Sequence, residues 1–141
     1  MEKLSFEEFR NADERKLDGD LESLAYAAIG AAIEVHKHMG PGLPENSYRD
    51  ALSHELDLRG IPFERECPVD ILYKGKCVGK GRIDLLVDRR IIIELKVVEN
   101  LLPLHRAQVI SYLKLTKLQL ALIINFNVEV LRAGVRRVIN T

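Results

Sequence analysis

The chain has 141 residues, 47% of them hydrophobic, which suits one core of ordinary size and leaves too little for a second. Its 21 basic and 21 acidic residues cancel, which excludes a polyanion partner gathered by overall charge and leaves only local patches for that role. No apolar run is long enough to span a bilayer, the N-terminus is charged, and Cys67 and Cys77 are too few for a disulfide scaffold, an iron–sulfur cluster or an all-cysteine zinc site, so the protein reads as soluble and cytoplasmic with reduced thiols.

Residues 1–20 read as a polar lead-in with one helical turn around Phe6 and Phe9, and residues 21–141 as a single domain. Leu24, Ala28, Ala31, Ala32 and Val35 recur at helical spacing and predict a helix from about Leu21 that stops at Gly40-Pro41-Gly42. Pro44 suits the first position of a second helix, since its missing N–H has no partner there. Glu45, Tyr48, Leu52 and Leu56 then fall on one stripe ending near Gly60, which points Glu45 inward. Beyond Pro62 the pattern predicts three antiparallel strands, about Phe63 to Tyr73, Cys77 to Val87 and Ile91 to Val98. A turn at Lys74-Gly75 sets Cys77 opposite Leu72, so the cysteines do not face each other. Pro103 opens a helix to about Lys117, Gln119 to Phe126 reads as a strand buried on both faces, and Val128 to Ile139 as a last β segment. This order implies an α/β sandwich around a mixed sheet, with the strand after the crossover helix parallel to a hairpin strand.

The most informative residues are charges inside apolar strands. Asp84 stands in Arg82-Ile83-Asp84-Leu85-Leu86-Val87, and Glu94 and Lys96 stand in Ile91-Ile92-Ile93-Glu94-Leu95-Lys96-Val97-Val98. An unpaired ion in a core costs several kcal/mol, so such charges are paired, reach solvent in a cleft, or hold a metal. Glu94 and Lys96 share one strand face. Asp84 joins that face only if the hairpin loop has three residues, Asp88-Arg89-Arg90, or contains a bulge. Two carboxylates with the Leu95 carbonyl are hard oxygen ligands suited to Mg²⁺ or Mn²⁺, and Lys96 beside them can orient a water or stabilise a developing charge. A structural ion-pair network without chemistry is the competing reading.

Ile83-Asp84, nine intervening residues, then Glu94-Leu95-Lys96 resembles the signature of the PD-(D/E)XK nuclease superfamily, with Ile83 in place of the usual proline. Gly42-Leu43-Pro44-Glu45-Asn46-Ser47-Tyr48 is similar to the GxxExxY pattern of a small bacterial family within it, and the likeness runs from about Leu21 to the C-terminus. The resemblance implies a restriction-endonuclease-like αβββαβ core and divalent-metal phosphodiester hydrolysis, with DNA the expected substrate and RNA an alternative. It also implies an acid on an early helix near the metal, which Glu45 matches best and Glu34 next. Gln108-Val109-Ile110-Ser111-Tyr112 is similar to the Q-x-x-x-Y element of RecB-like nucleases, which makes Gln108 and Tyr112 candidate substrate contacts on one stripe with His105.

Tyr48 reads as core packing, and His36, His38, His54 and His105 lack the spacing of a helical zinc site. Basic residues gather at Lys74, Lys76, Lys80 and Arg82, at Arg89 and Arg90, and at Arg132, Arg136 and Arg137, as solvated turns or as phosphate contacts. Cutting both strands of a duplex takes two sites, which suggests a homodimer. A nuclease-fold module that binds nucleic acid or protein without turnover is the alternative to an enzyme.

Overall fold

A computed structural model describes residues 17–140, so the helical turn expected around Phe6 and Phe9 lies outside the described residues. Helix α1 (Gly19–Met39) begins where the Asp18 carboxylate accepts the N–H groups of Asp20 and Leu21, and ends at Gly40 with φ 67°. Its small residues Ala25, Ala28, Ala31 and Ala32 are buried and let α2 (Glu45–Leu58) approach closely. Pro44 precedes α2 as its cap residue, one position earlier than its sequence suggested.

Five strands follow in the order β1 (Phe63–Tyr73), β2 (Lys76–Val87), β3 (Ile91–Lys96), β4 (Leu120–Asn125) and β5 (Val135–Ile139), and they lie side by side in that same order. Neighbours are antiparallel except β3 and β4, which are parallel because helix α3 (Pro103–Thr116) carries the chain back between them. This is the mixed α/β sheet with flanking helices that the sequence predicted. β3 ends at Lys96, two residues earlier than expected. The last segment is interrupted by a 3₁₀ turn (Leu131–Gly134), where a side chain at Gly134 would run into the Asn125 carbonyl.

The sheet separates two cores. Leu85, Val87, Ile91, Ile93, Leu95, Leu120, Leu122 and Ile124 pack with α1 and α2. Ile92, Ala121, Ile123 and Val138 pack with Val109, Tyr112 and Leu113 of α3. Each large aliphatic side chain fully buried this way contributes about 1.5–3 kcal/mol. Tyr48 is buried as expected: its ring stacks on Phe126 at 4.5 Å, and its hydroxyl donates to the Gly40 carbonyl. A buried bidentate pair between Arg137 and Glu22 ties β5 to α1. Arg137 is therefore an internal strut, because a guanidinium so deeply buried requires a carboxylate beside it.

The sheet splits at one place. β2 follows β1 from Val87 to Lys76, with breaks in the pairing at Asp84 and Val78, but its ladder with β3 covers only Leu85–Val87 against Ile91–Ile93. Past Leu85 the two strands diverge, and α3 holds the departing arm of β2. The Tyr112 ring lies over Gly81, and its hydroxyl accepts the Arg82 N–H at 3.3 Å. A Cβ at position 81 would stand 2.6 Å from that ring, so Gly81→Ala should cost about 1–3 kcal/mol, read as a shift in the urea midpoint. An unchanged midpoint would show that α3 does not press on β2 there.

Candidate active site

The loop between β2 and β3 has the three residues Asp88–Arg90, one of the two arrangements that bring Asp84 to Glu94. Arg90 N–H bonds to the Val87 carbonyl at 2.9 Å, and Asp88 and Arg89 take the left-handed φ values of 50° and 55° that suit a tight hairpin twist. The resulting register pairs Leu85 with Ile93, which sets Asp84 opposite Glu94 at the mouth of the fork. Glu94 and Lys96 share the strand face of Ile92, which is covered by α3, and alternate with Ile93 and Leu95.

Two backbone N–H groups lose their ladder partners where the strands part. The acids replace them in a crossed arrangement: Asp84 N–H donates to Glu94 Oε1 at 3.3 Å, and Leu95 N–H donates to Asp84 Oδ2 at 2.8 Å. Each strand's carboxylate satisfies the other strand's backbone. Glu94 is only 4% exposed, while the Asp84 side chain is 18% exposed and faces the opening. Burial, and then the negative charge of Asp84 beside it, push the Glu94 carboxyl up to about 8, against smaller lowerings by the Asp84 N–H and by Lys96. Lys96 is half-buried and has no ion pair within 4.0 Å among the described residues.

Arg49 was not singled out in the sequence, yet its guanidinium bridges Glu45 at 2.7 Å and Asp84 at 3.3 Å. Glu45 was expected to point inward. Its side chain is instead 41% exposed at the rim, because the first turn of α2 projects beyond the packed stripe of Tyr48, Leu52 and Leu56, and Arg49 links it to Asp84. The signal was present in the sequence, since Glu45 and Arg49 are four apart on a helix, but their common tie to a strand 35 residues away was not. Glu34 bonds to His38 on α1 and makes no contact with the fork. Among the described residues, no three His, Cys, Asp or Glu side chains converge on one point.

Asn125 also escaped the sequence reading. It sits beside Lys96 in the β3–β4 register, and its side-chain amide accepts the Val98 and Asn127 N–H groups and donates to the Val98 carbonyl. These bonds hold the chain just after Lys96. Gln108 is exposed on α3, and Tyr112 is 8% exposed with its hydroxyl on β2. Of the basic residues at the turns, Lys80, Arg82, Arg89 and Arg90 each pair with an acid.

A protein-family model described as the PD-(D/E)XK nuclease superfamily matches residues 22–138, spanning both helices before the sheet, the fork and β5. The chain belongs to the PD-(D/E)XK nuclease superfamily. No curated protein and no solved structure matches it. In this PD-(D/E)XK chain Asp84 and Glu94 meet at the strand fork, and Lys96 stands two residues beyond Glu94 at the end of β3. No helix among the described residues is long and apolar enough to cross a membrane.

The buried Glu94 predicts a pH signature. Its folded value of about 8 lies above the 4.5 of a free carboxyl, so its contribution to stability is intact below about pH 4.5 and is lost as the pH rises to about 8. Glu94→Gln keeps an acceptor for the Asp84 N–H and cannot ionise. In EDTA, the melting temperature of the variant relative to wild type should therefore rise steadily between pH 5 and 8, whereas parallel curves would refute the burial effect.

Proposed function

We propose that this PD-(D/E)XK protein hydrolyses phosphodiester bonds in nucleic acid, DNA foremost, with Mg²⁺ or Mn²⁺. The observation that supports it best is the pair of crossed carboxylates at the fork. Two acids held in contact inside a protein repel, and a proton or a cation relieves them. Mg²⁺ is commonly held by one or two carboxylates, with waters and substrate phosphate completing its shell, so this acid pair fits without a third acid. Asp84, Glu94 and the Leu95 carbonyl would hold the ion. Glu45 joins that set only when Arg49 releases it. A divalent ion bound there supplies an acidified water and neutralises charge at the phosphate.

The protein's own groups do the rest. Lys96 donates from its ammonium to the attacking water or to a phosphate oxygen, and being without an ion partner it is free to do so. Asn125 fixes the backbone that carries it. Gln108 contacts the nucleic-acid strand, and Tyr112 does so through its exposed edge while holding β2 behind Asp84. We place the chain in the GxxExxY group on Gly42, Glu45 and Tyr48, in the cytoplasm where such a substrate is met, and as a homodimer when both strands are cut.

A second reading, a nuclease-fold module without turnover, is favoured by Arg49, whose guanidinium already supplies a cation to Asp84 and Glu45. Two measurements separate them. With Mn²⁺, the protein should nick or degrade plasmid DNA, and Lys96→Ala should slow this by about 100-fold or more at unchanged melting temperature. A rate untouched by that substitution would remove Lys96 from the chemistry. Calorimetric titration with Mn²⁺ should show binding that Asp84→Ala abolishes and that releases a proton near pH 7, because Glu94 must ionise to become a ligand. Absence of Mn²⁺ binding would favour the module.

A further inference from the structure

A second polar feature lies on the same face of the sheet as Glu94. The register pairs Glu94 with Ile123 and Ile123 with Arg136, so the three stand in one row across β3, β4 and β5. With strands about 4.8 Å apart, Arg136 originates about 10 Å from Glu94. Beside it is a cavity of about 270 Å³, floored by Ile123 and Val138 and walled by Leu102, Arg106 and Arg136. No acidic side chain lines it.

Three arginines line the cavity; Arg137 is committed to Glu22, and the other two differ from those on the rest of the surface. Arg59, Arg65, Arg82, Arg89 and Arg90 each face a carboxylate within 4.0 Å. Arg106 and Arg136 face none among the described residues, although both are exposed and the chain carries as many acids as bases. Arg136 is nevertheless held in place, because one of its terminal nitrogens donates to the Ala133 and Val135 carbonyls at 2.9 Å. Its other donors have no partner among the described residues. A guanidinium anchored by backbone, with a second one across an apolar-floored cavity, is suited to an oxyanion attached to a less polar body.

We propose that this cavity binds a backbone phosphate of the nucleic-acid strand together with its sugar, a few nucleotides from the bond that is cut. The proposal rests on the nuclease reading and deepens it: Arg106 and Arg136 clamp a phosphate that is not cleaved, and the apolar floor of Ile123 and Val138 receives the sugar. The clamp sets how far the strand extends past the fork, as phosphate contacts set register without reading sequence.

The test compares Arg106→Ala/Arg136→Ala with Arg59→Ala/Arg65→Ala, which removes the same charge elsewhere. Binding of a short fluorescein-labelled DNA oligonucleotide is followed by anisotropy in EDTA, where cleavage is absent. The cavity double variant should bind about tenfold more weakly than the control pair, with a salt slope shallower by about one. In Mn²⁺ it should raise KM with little change in kcat. Both exposed substitutions should leave the melting temperature in place. Oligonucleotide affinity equal to that of the control pair overturns the clamp, and does so while Mn²⁺ binding at Asp84 and Lys96-dependent cleavage leave the nuclease reading standing. If thymidine monophosphate protects the cavity in wild type yet the variant holds the oligonucleotide normally, the cavity is a mononucleotide site and the strand assignment fails. A wild-type protein that binds no oligonucleotide, with or without Mn²⁺, removes both.

Discussion

The geometry of the site depends on the parting of β2 from β3. A continuous ladder would satisfy the Asp84 and Leu95 N–H groups with backbone carbonyls and would have no need of the two acids. Because β2 follows β1 instead, those donors turn to the Glu94 and Asp84 carboxylates, and each acid is fixed by the strand it does not belong to. The acids are thus positioned by backbone rather than by flexible side-chain contacts. The three-residue loop at Asp88–Arg90 makes this possible: a loop one residue shorter would turn Asp84 to the opposite face of the sheet.

Electrostatically the fork is unfinished. Glu94 is buried against a neighbouring acid and holds its proton into the neutral range, Arg49 neutralises only the outer side, at Asp84 and Glu45, and Lys96 has no ion pair. Of the basic residues at the turns, Lys80, Arg82, Arg89 and Arg90 are paired locally. Lys96 at the fork and Arg106 and Arg136 at the cavity have no ion pair among the described residues, and the fork and the cavity share one sheet face. A chain with no net charge presents local positive potential in this way, by withholding acids at chosen positions.

The surrounding structure supports the fork from three sides. Tyr112 holds β2 through Gly81 and the Arg82 N–H, Asn125 fastens the chain after Lys96, and Arg49 reaches Asp84 from α2. Each acts through the backbone or through a charge, so each tolerates little change in length or shape. Tyr112 combines a structural bond with a position in the element that pointed to substrate contact, and its buried ring explains why it takes part in packing as well.

The sequence by itself determined the element order and the parallel crossover, and it set the condition under which Asp84 could meet Glu94, a three-residue loop or a bulge. All of these follow from periods of 2 and 3.6 and from loop parity, which are properties of neighbouring residues. Boundaries were displaced where long-range contacts intervene, as at Val98, whose N–H and carbonyl both bond the Asn125 side chain beyond the end of β3, and at Val128, where the close approach of Gly134 to Asn125 belongs to a 3₁₀ turn. Only the tertiary structure decided that Glu45 sits at the rim in the grip of Arg49, that Arg137 is buried on Glu22, and that Arg106 and Arg136 share a cavity. Those outcomes depend on which groups from distant segments come within a few ångströms of one another and on how much water remains between them, and neither distance nor solvation is encoded in local spacing.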